Sequence, residues 1–420
     1  MNVLLLLLYK LILDILYAEY ISDIWSFRFA STWSGLYIGG WIVYIIFIVL
    51  IKAVFLRNYN YEKNIKEYIL FFLIIFSLVP GISMCGWGGA SEDYIMIFLE
   101  YWLFFVLCMY FALRIKLNNK HINAYISEKN KIRLFYLAAW MCVFSILFVF
   151  FYYGNGKIFS SSLISEDVYN VRLSWRDIEL SLPLNYILAN ATIVLLVIIM
   201  YLGELKRFYM AFLLMVVYYL HFSCGAQKSI ILSLLICCLA YIMKRYLQFN
   251  RILSVMMCGI IFAMLAFTVA DNIALLTFIR RTMFETNIIS YYYNDFFSSN
   301  LPTVYSALGR EGISFSEVPR IIGWVYYTHL DTSANNGLIG DAVAMFGTYG
   351  VIIEPLLWSI YLVLLGSVEE KLTLSMKVGI GLYWAITMQN SAVLTCMFSH
   401  GGIMLLLMAY CLPKITEKRA

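Results

Sequence analysis

The sequence predicts an all-α, polytopic integral membrane protein, and three observations predict it. Of its 420 residues 63% are hydrophobic and only 13% charged, with a mean hydropathy of +0.81. A soluble domain has no interior large enough to hide that much apolar surface. The apolar residues come in runs of about 20, the length a helix needs to cross the hydrocarbon core. The charged residues gather between those runs, as connections at a bilayer surface do.

Twelve runs are read along the chain: 2–18, 34–55, 68–87, 94–113, 134–153, 184–203, 208–224, 229–243, 252–270, 338–366, 378–394 and 399–412. The first lacks a basic leading region and a small-residue cleavage site, so it reads as a weak span rather than a removable signal. It carries Lys10 and Asp14, which are four apart and so can pair on one helix face. The eighth and the last runs are short. The tenth is too long for one simple span and is expected to break at Gly347 or Gly350. The chain is read as one polytopic domain, 1–420, with two long polar loops, 154–183 and 271–337.

Lys and Arg placement predicts the orientation. Twenty of the 30 basic residues fall in one alternating set of connections and nine in the other, with Lys10 inside the first run. The richer set is expected in the cytoplasm. Both termini then lie inside and both long polar loops outside, in a bacterial inner membrane. The inner connections are too short for a nucleotide-binding domain, and no GxxxxGK[ST] loop occurs. Any chemistry is therefore expected on the outer face, without ATP or a sugar nucleotide, on a substrate that arrives already activated. Nine cysteines are scattered without a CxxC, and the histidines at 121, 221, 329 and 400 are dispersed. No metal-ligand spacing emerges, and neither a metal nor a cofactor is expected.

Basic residues on the outer side run against the topology rule and need a reason. Arg172 and Arg176 are four apart, and Arg280, Arg281, Arg310 and Arg320 lie in the second loop. Arginine suits a phosphate or diphosphate because its planar fork makes paired, charge-assisted hydrogen bonds and never loses its charge. The competing reading pairs each with a nearby acid: Asp177 and Glu179 in the first loop, Glu285 or Asp295 in the second. The block Tyr291–Phe297 can stack on sugar rings, though the reading favoured is an ordinary interfacial aromatic belt. His329 has an unperturbed pKa near neutrality and is a candidate general base, with Asp331, Asp295, Glu311 and Asp341 as rivals. Asn335, Asn336 and Gly337 followed by Asp341 read as a loop entering a helix that lines the site, or simply as a helix start. Asp341 and Glu354 then fall inside an apolar run, where an ionisable group defaults to a functional hypothesis. Glu100 and Lys228 come under the same rule.

These pieces resemble the Wzy-type O-antigen and capsular oligosaccharide repeat-unit polymerases. The resemblance rests on the many spans, the large late outer loop, and arginines in two outer loops. It rests also on Gly225-Ala226-Gln227-Lys228-Ser229 opening a span, and on the Asn-Gly, Gly-Asp, Phe-Gly and Gly elements of Asn335–Gly350. The paired Arg-x10-Gly loop pattern of some members is absent, since Pro183 and Ile321 stand at those positions. The resemblance implies a membrane-embedded glycosyltransferase. It would transfer the growing glycan from undecaprenyl diphosphate to the terminal sugar of a new lipid-linked repeat unit. It also implies arginines that stabilise the leaving diphosphate, and His329, Asp331 or Asp295 as base. Its partners are then the lipid-linked oligosaccharides, the bilayer and a chain-length regulator, with no nucleic acid.

Three other functions fit the same outline. An O-antigen ligase shares the architecture and transfers finished glycan to a lipid acceptor. A lipid-linked oligosaccharide flippase or other transporter commonly has twelve spans, but places its substrate at the midplane between similar halves; no internal repeat is visible here. A membrane acyltransferase would need a supported intramembrane histidine, which His221 and His400 are not.

Overall fold

The computed structural model describes residues 2–22, 35–55, 64–115, 117, 126–160, 167–176, 178–309, 312–327 and 333–415. Every element among them is helical. The order begins α1 (Val3–Leu16), α2 (Gly35–Phe55), α3 (Ile65–Trp87), α4 (Glu92–Ala112), α5 (Glu128–Tyr152) and α6 (Asp167–Arg176). It continues through α7 (Leu182–Glu204), α8 (Phe208–Gly225), α9 (Lys228–Ile242), α10 (Phe249–Ala270) and α11 (Ile273–Ile279). The stretch after α11 is helical too: α12 (Glu285–Phe297), α13 (Thr303–Ala307) and α14 (Val318–Tyr327). Last come α15 (Ile339–Phe346), α16 (Gly350–Val368), α17 (Leu374–Asn390), α18 (Val393–Phe398) and α19 (Gly402–Cys411).

Each of the twelve expected runs contains a helix among the described residues, and the run 378–394 is interrupted at 391–392, between α17 and α18. Nine helices among the described residues are long and apolar enough to cross a membrane, so the protein is a polytopic membrane protein. Of the other three runs, α1 continues through a π turn, Tyr17–Ile21, and carries Lys10, Asp14 and Glu19, while α9 (15 residues) and α17 (17 residues) are shorter than a full crossing. The tenth run divides at Gly347, which takes φ +60° and opens a short 3-10 turn, Gly347–Tyr349. Glycine is needed there because a side chain in the left-handed region is strained. At Gly350 the reason is different: a Cβ would overlap the Ala342 carbonyl of the preceding helix.

Local chemistry accounts for the helix starts. Ser91 caps α4 by accepting the Tyr94 N–H, Ser127 caps α5 through Asn130, and Asn272 caps α11 through Ala274. In α3 a π turn, Ile74–Leu78, sits just before Pro80, whose ring has no N–H to return to the preceding turn.

The described residues fall into two compact units. The first takes Met1–Ile115, Tyr246–Val363 and Trp384–Val393. Its innermost helix is α3, with 94% of its apolar window buried. Small residues let α2 approach it, for a Cβ on Gly40 would lie 3.3 Å from the Gly86 Cα. Within α1, Lys10 Nζ stands 2.8 Å from both carboxylate oxygens of Asp14, and 4.5 Å above the Trp41 ring of α2. Both charged groups are about 1% exposed.

The second unit takes Lys116–Arg245, Leu364–Tyr383 and Leu394–Ala420. Its inner helix is α7, whose residues Ala191 and Ile193–Leu202 are buried without a break. A helix apolar all round needs neighbours on every side, and α5, α8, α9 and α19 pack on it. Polar groups tie the helix ends of this unit. Glu128 takes Lys131 and Lys371 at 2.8 and 2.9 Å, and Glu204 accepts from Thr373 and Ser375.

Candidate functional site

Within the first unit α12 acts as the plank on which the candidate site is built. A π turn, Arg280–Phe284, leads into it. Arg280 and Glu285 are five residues apart, too far round a regular α-helix to face each other. The wider π turn between them brings the side chains onto one face, and Arg280 Nη2 lies 3.1 Å from Glu285 Oε2. The other oxygen of Glu285 accepts the Tyr327 hydroxyl at 2.7 Å. Both ion-pair partners remain partly accessible, at 18% and 14%. Burial, then the Glu285 carboxylate, push the Tyr327 phenol well above its ordinary pKa, so it stays protonated and keeps donating.

Tyr292 organises the adjoining aromatic surface. It stacks on Tyr326 with centroids 4.5 Å apart and an interplanar angle of 9°, and meets Tyr327 edge-on at 5.7 Å. Tyr326 donates to Asp295 at 2.6 Å, and Asp295 is exposed. The block Tyr291–Phe297 is therefore mixed in character. Tyr292, Tyr293, Asn294 and Phe297 face inward, while Asp295 faces out. Tyr293 donates to the Ala334 carbonyl at 2.9 Å. Burial, with the Asp341 carboxylate adding to it, raises the pKa of the Tyr293 phenol.

The segment Asn335–Asp341 is attached to the same plank. Asn336 is buried and donates to Ser290 Oγ at 2.9 Å and to the Thr286 carbonyl at 3.3 Å, while its Oδ1 accepts the Gly337 N–H. Gly337 has no room for a side chain, since a Cβ would overlap the Met388 and Ser391 carbonyls. Asn335 is exposed and accepts a local bond from Ser333. Asp341 is 2% exposed, and its Oδ2 accepts the Val393 N–H at 2.8 Å.

Placement of the predicted arginines is uneven. Arg280 joins the cluster just described, and Arg281 and Arg320 are exposed in the same unit. Arg172 belongs to the second unit, where its Nε donates to the Ala226 carbonyl at 3.1 Å. Ala226 has φ +45° and ends α8, so one job of Arg172 is to satisfy a helix terminus. The Arg176 side chain, Asp177, Arg310, Glu311, His329 and Asp331 lie outside the described residues. Of the intramembrane ionisable groups, Glu100 is exposed on α4, whereas Glu354 is fully buried and accepts from Trp358 at 3.0 Å. Among the described residues no group of three His, Cys, Asp or Glu is placed to hold a metal ion.

Reading the sequence alone passes over Tyr326 and Tyr327 and treats Glu285 only as a possible counter-ion. The one local signal is the hydroxyl-rich, aromatic pair itself, which looks like any interfacial belt. What the cluster offers is a guanidinium held by a carboxylate, that carboxylate held by a phenol, and an aromatic face beside them. Such a set can orient an anionic group next to a ring-shaped one. No family model, no curated protein and no solved structure matches this chain.

Proposed function

We propose that this protein is a membrane-embedded glycosyltransferase of the oligosaccharide repeat-unit polymerase kind. It would lie in a bacterial inner membrane with twelve crossings, both termini in the cytoplasm and the α11–α14 stretch on the periplasmic face. Its substrates would be undecaprenyl-diphosphate-linked oligosaccharides, and a chain-length regulator its protein partner. The observation that carries this reading is the Arg280–Glu285–Tyr327 arrangement beside the Tyr292–Tyr326 stack. A diphosphate leaving group needs fixed positive charge where its negative charge develops, and sugar rings pack on aromatic faces. Orientation of the donor comes from Arg280 held at a fixed angle by Glu285, with Arg281 and Arg320 as further contacts. The acceptor hydroxyl loses its proton to His329, Asp331 or Asp295; of these Asp295 stands beside the aromatic stack, bonded to Tyr326.

The test is deletion of the gene in its own host, with the surface glycan resolved on a gel. The expected outcome is a glycan shortened to one repeat unit, restored by wild type and not by Arg280→Ala. Full-length polymer accumulating on its lipid carrier would instead identify a ligase. Single units retained on the inner leaflet would identify a flippase and remove the roles given to Arg280 and Glu285.

A further inference from the structure

The second unit holds a feature that the reading above does not use. Where α7 ends, α8 begins and α9 ends, an apolar cavity of about 180 Å³ opens between the three helices. Met200, Gly203, Phe208, Ala211, Cys238 and Tyr241 are among the residues that line it. Gly203 leaves its part of the wall bare, and Tyr241 donates its hydroxyl to the Gly203 carbonyl at 2.9 Å, which ties α9 to the end of α7. On the far side Gly379 lets α17 close on two further lining positions. A Cβ there would stand 3.2 Å from Met200 Cε and 3.3 Å from the Cys237 Cα. The near side is open. Phe208 and Ile242 are 57% and 73% exposed at its edge, so the cavity opens onto the face that a membrane helix turns to lipid.

Basic side chains stand at its mouth. Lys206 and Arg207 form the α7–α8 connection, Lys244 and Arg245 follow α9, and all four are exposed. Printed contacts make the two connections neighbours in space. Lys244 Nζ lies 3.8 Å from Glu204 Oε2 and 5.1 Å from the centroid of the Tyr241 ring. Glu204 is the acid at this end, and its other oxygen is already held by Thr373 and Ser375. Four positive groups against one carboxylate leave the rim positive.

An apolar slot open to lipid, with positive charge where the helices reach the surface, has the shape and sign of a lipid chain joined to an anionic headgroup. Basic pockets between membrane helices hold such headgroups, and Lys and Arg at helix ends reach out to them. A dry apolar cavity of about 150 Å³ takes benzene, so this one has room for a comparable length of acyl chain. A zwitterionic headgroup would bring its own cation to a rim that is already positive, which favours a lipid of net negative charge. We propose that this cavity seats one acyl chain of an anionic glycerophospholipid from the surrounding leaflet, with its phosphate held by Lys206, Arg207 and Lys244. The proposal does not rest on glycosyl transfer, because it concerns the second unit and binding is read without activity.

The experiment is thermal unfolding of the purified full chain in detergent, titrated with palmitoyl-oleoyl phosphatidylglycerol. Phosphatidylcholine with the same chains, glycerol phosphate and undecaprenyl phosphate are run beside it. A ligand that binds only the folded state raises the midpoint in a saturable way. Phosphatidylglycerol should raise it by several degrees, and phosphatidylcholine and glycerol phosphate should not. Changing Lys206→Gln together with Arg207→Gln should move the half-saturation on the order of tenfold higher, since both charges act on the headgroup. Cys238→Phe fills the cavity without changing charge and should weaken the response as well. If Cys238→Phe fails to fold, the exposed double variant carries the test alone. An unchanged phosphatidylglycerol response in the double variant, or in a folded Cys238→Phe, overturns the site. So does an equal response to phosphatidylcholine. Glycerol phosphate as effective as the lipid would make this a soluble-anion site, and undecaprenyl phosphate active with phosphatidylglycerol inert would give the cavity to a polyprenyl carrier; either result overturns the proposal.

Discussion

Two ion pairs in the first unit invite comparison. Lys10 and Asp14 are four residues apart on a regular helix, sealed at about 1% exposure, with the lysine ammonium shared between both carboxylate oxygens and the Trp41 ring. Arg280 and Glu285 are five apart across a π turn, and both keep some contact with solvent. The first pair consumes what it has. Every strong interaction of Lys10 is directed inward, so the pair joins α1 to α2 and can offer nothing to a ligand. The second keeps a small accessible edge, and its carboxylate is braced by a phenol from an element 42 residues later. Burial separates a structural ion pair from one that can meet a substrate.

Breaking the sealed pair should have the largest effect. Asp14→Ala leaves the Lys10 ammonium buried without its counter-ion, an outcome that costs about 3–5 kcal/mol. Thermal unfolding in detergent should show a large drop in midpoint, and replacing both residues by apolar ones should recover most of it. A double variant as unstable as Asp14→Ala would mean that the ion pair is not what α1 depends on.

Arg280→Ala should cost less stability than Asp14→Ala, because Glu285 keeps the Tyr327 hydroxyl and some solvent, while removing about 10²–10³-fold of activity, the usual cost of one electrostatic donor. In vitro polymerisation of lipid-linked repeat units, run beside an unfolding curve, separates the two effects. Arg280→Lys keeps the charge but loses the planar fork, and should recover only part of the rate. Full activity in Arg280→Ala would close the polymerase reading of this cluster.

Gly337→Ala tests the attachment of the Asn335–Asp341 segment to α12. Its new Cβ meets the Met388 and Ser391 carbonyls, backbone atoms that cannot rotate away, so a loss of about 1–3 kcal/mol is expected. The smallest effect belongs to Tyr327→Phe. It removes one hydrogen bond to Glu285, worth about 1 kcal/mol, and should slow turnover about fivefold by loosening Arg280. If that slowing appears wholly in KM for the lipid-linked donor, the arginine binds ground state and transition state alike.

How much of this was readable beforehand follows from the range of each interaction. The apolar runs, the i to i+4 pairing of Lys10 with Asp14 and the interruption of the tenth run depend on neighbours within a turn or two. Each is written in adjacent residues. Asp341 and Glu354 stand out for a similar reason, since a charge in an apolar run is conspicuous wherever the run folds. Glu285 was legible as a counter-ion for an arginine of the second loop, and it pairs with Arg280, but the five-residue spacing is wrong for an α-helix and nothing in Arg280–Phe284 announces the π turn that closes the pair. Tyr327 was hidden because one more tyrosine in a chain that is 17% aromatic carries no signal. Arg172, which looked like a ligand for phosphate, spends at least one donor on the Ala226 carbonyl.

The sequence by itself determined a polytopic helical protein, the place of its apolar helices but not of α6 or α11–α14, which it reads as loop, and which charges had to be explained. Hydrophobic burial and helix periodicity are local enough to be decided by composition and spacing. Only the tertiary structure decided which charges were spent. It placed Asn336 on Ser290, Tyr327 on Glu285 and the Val393 N–H on Asp341. Those pairings join residues 42 to 52 positions apart in the sequence. Contacts of that span are chosen by how helices pack, not by what stands next to them in the chain.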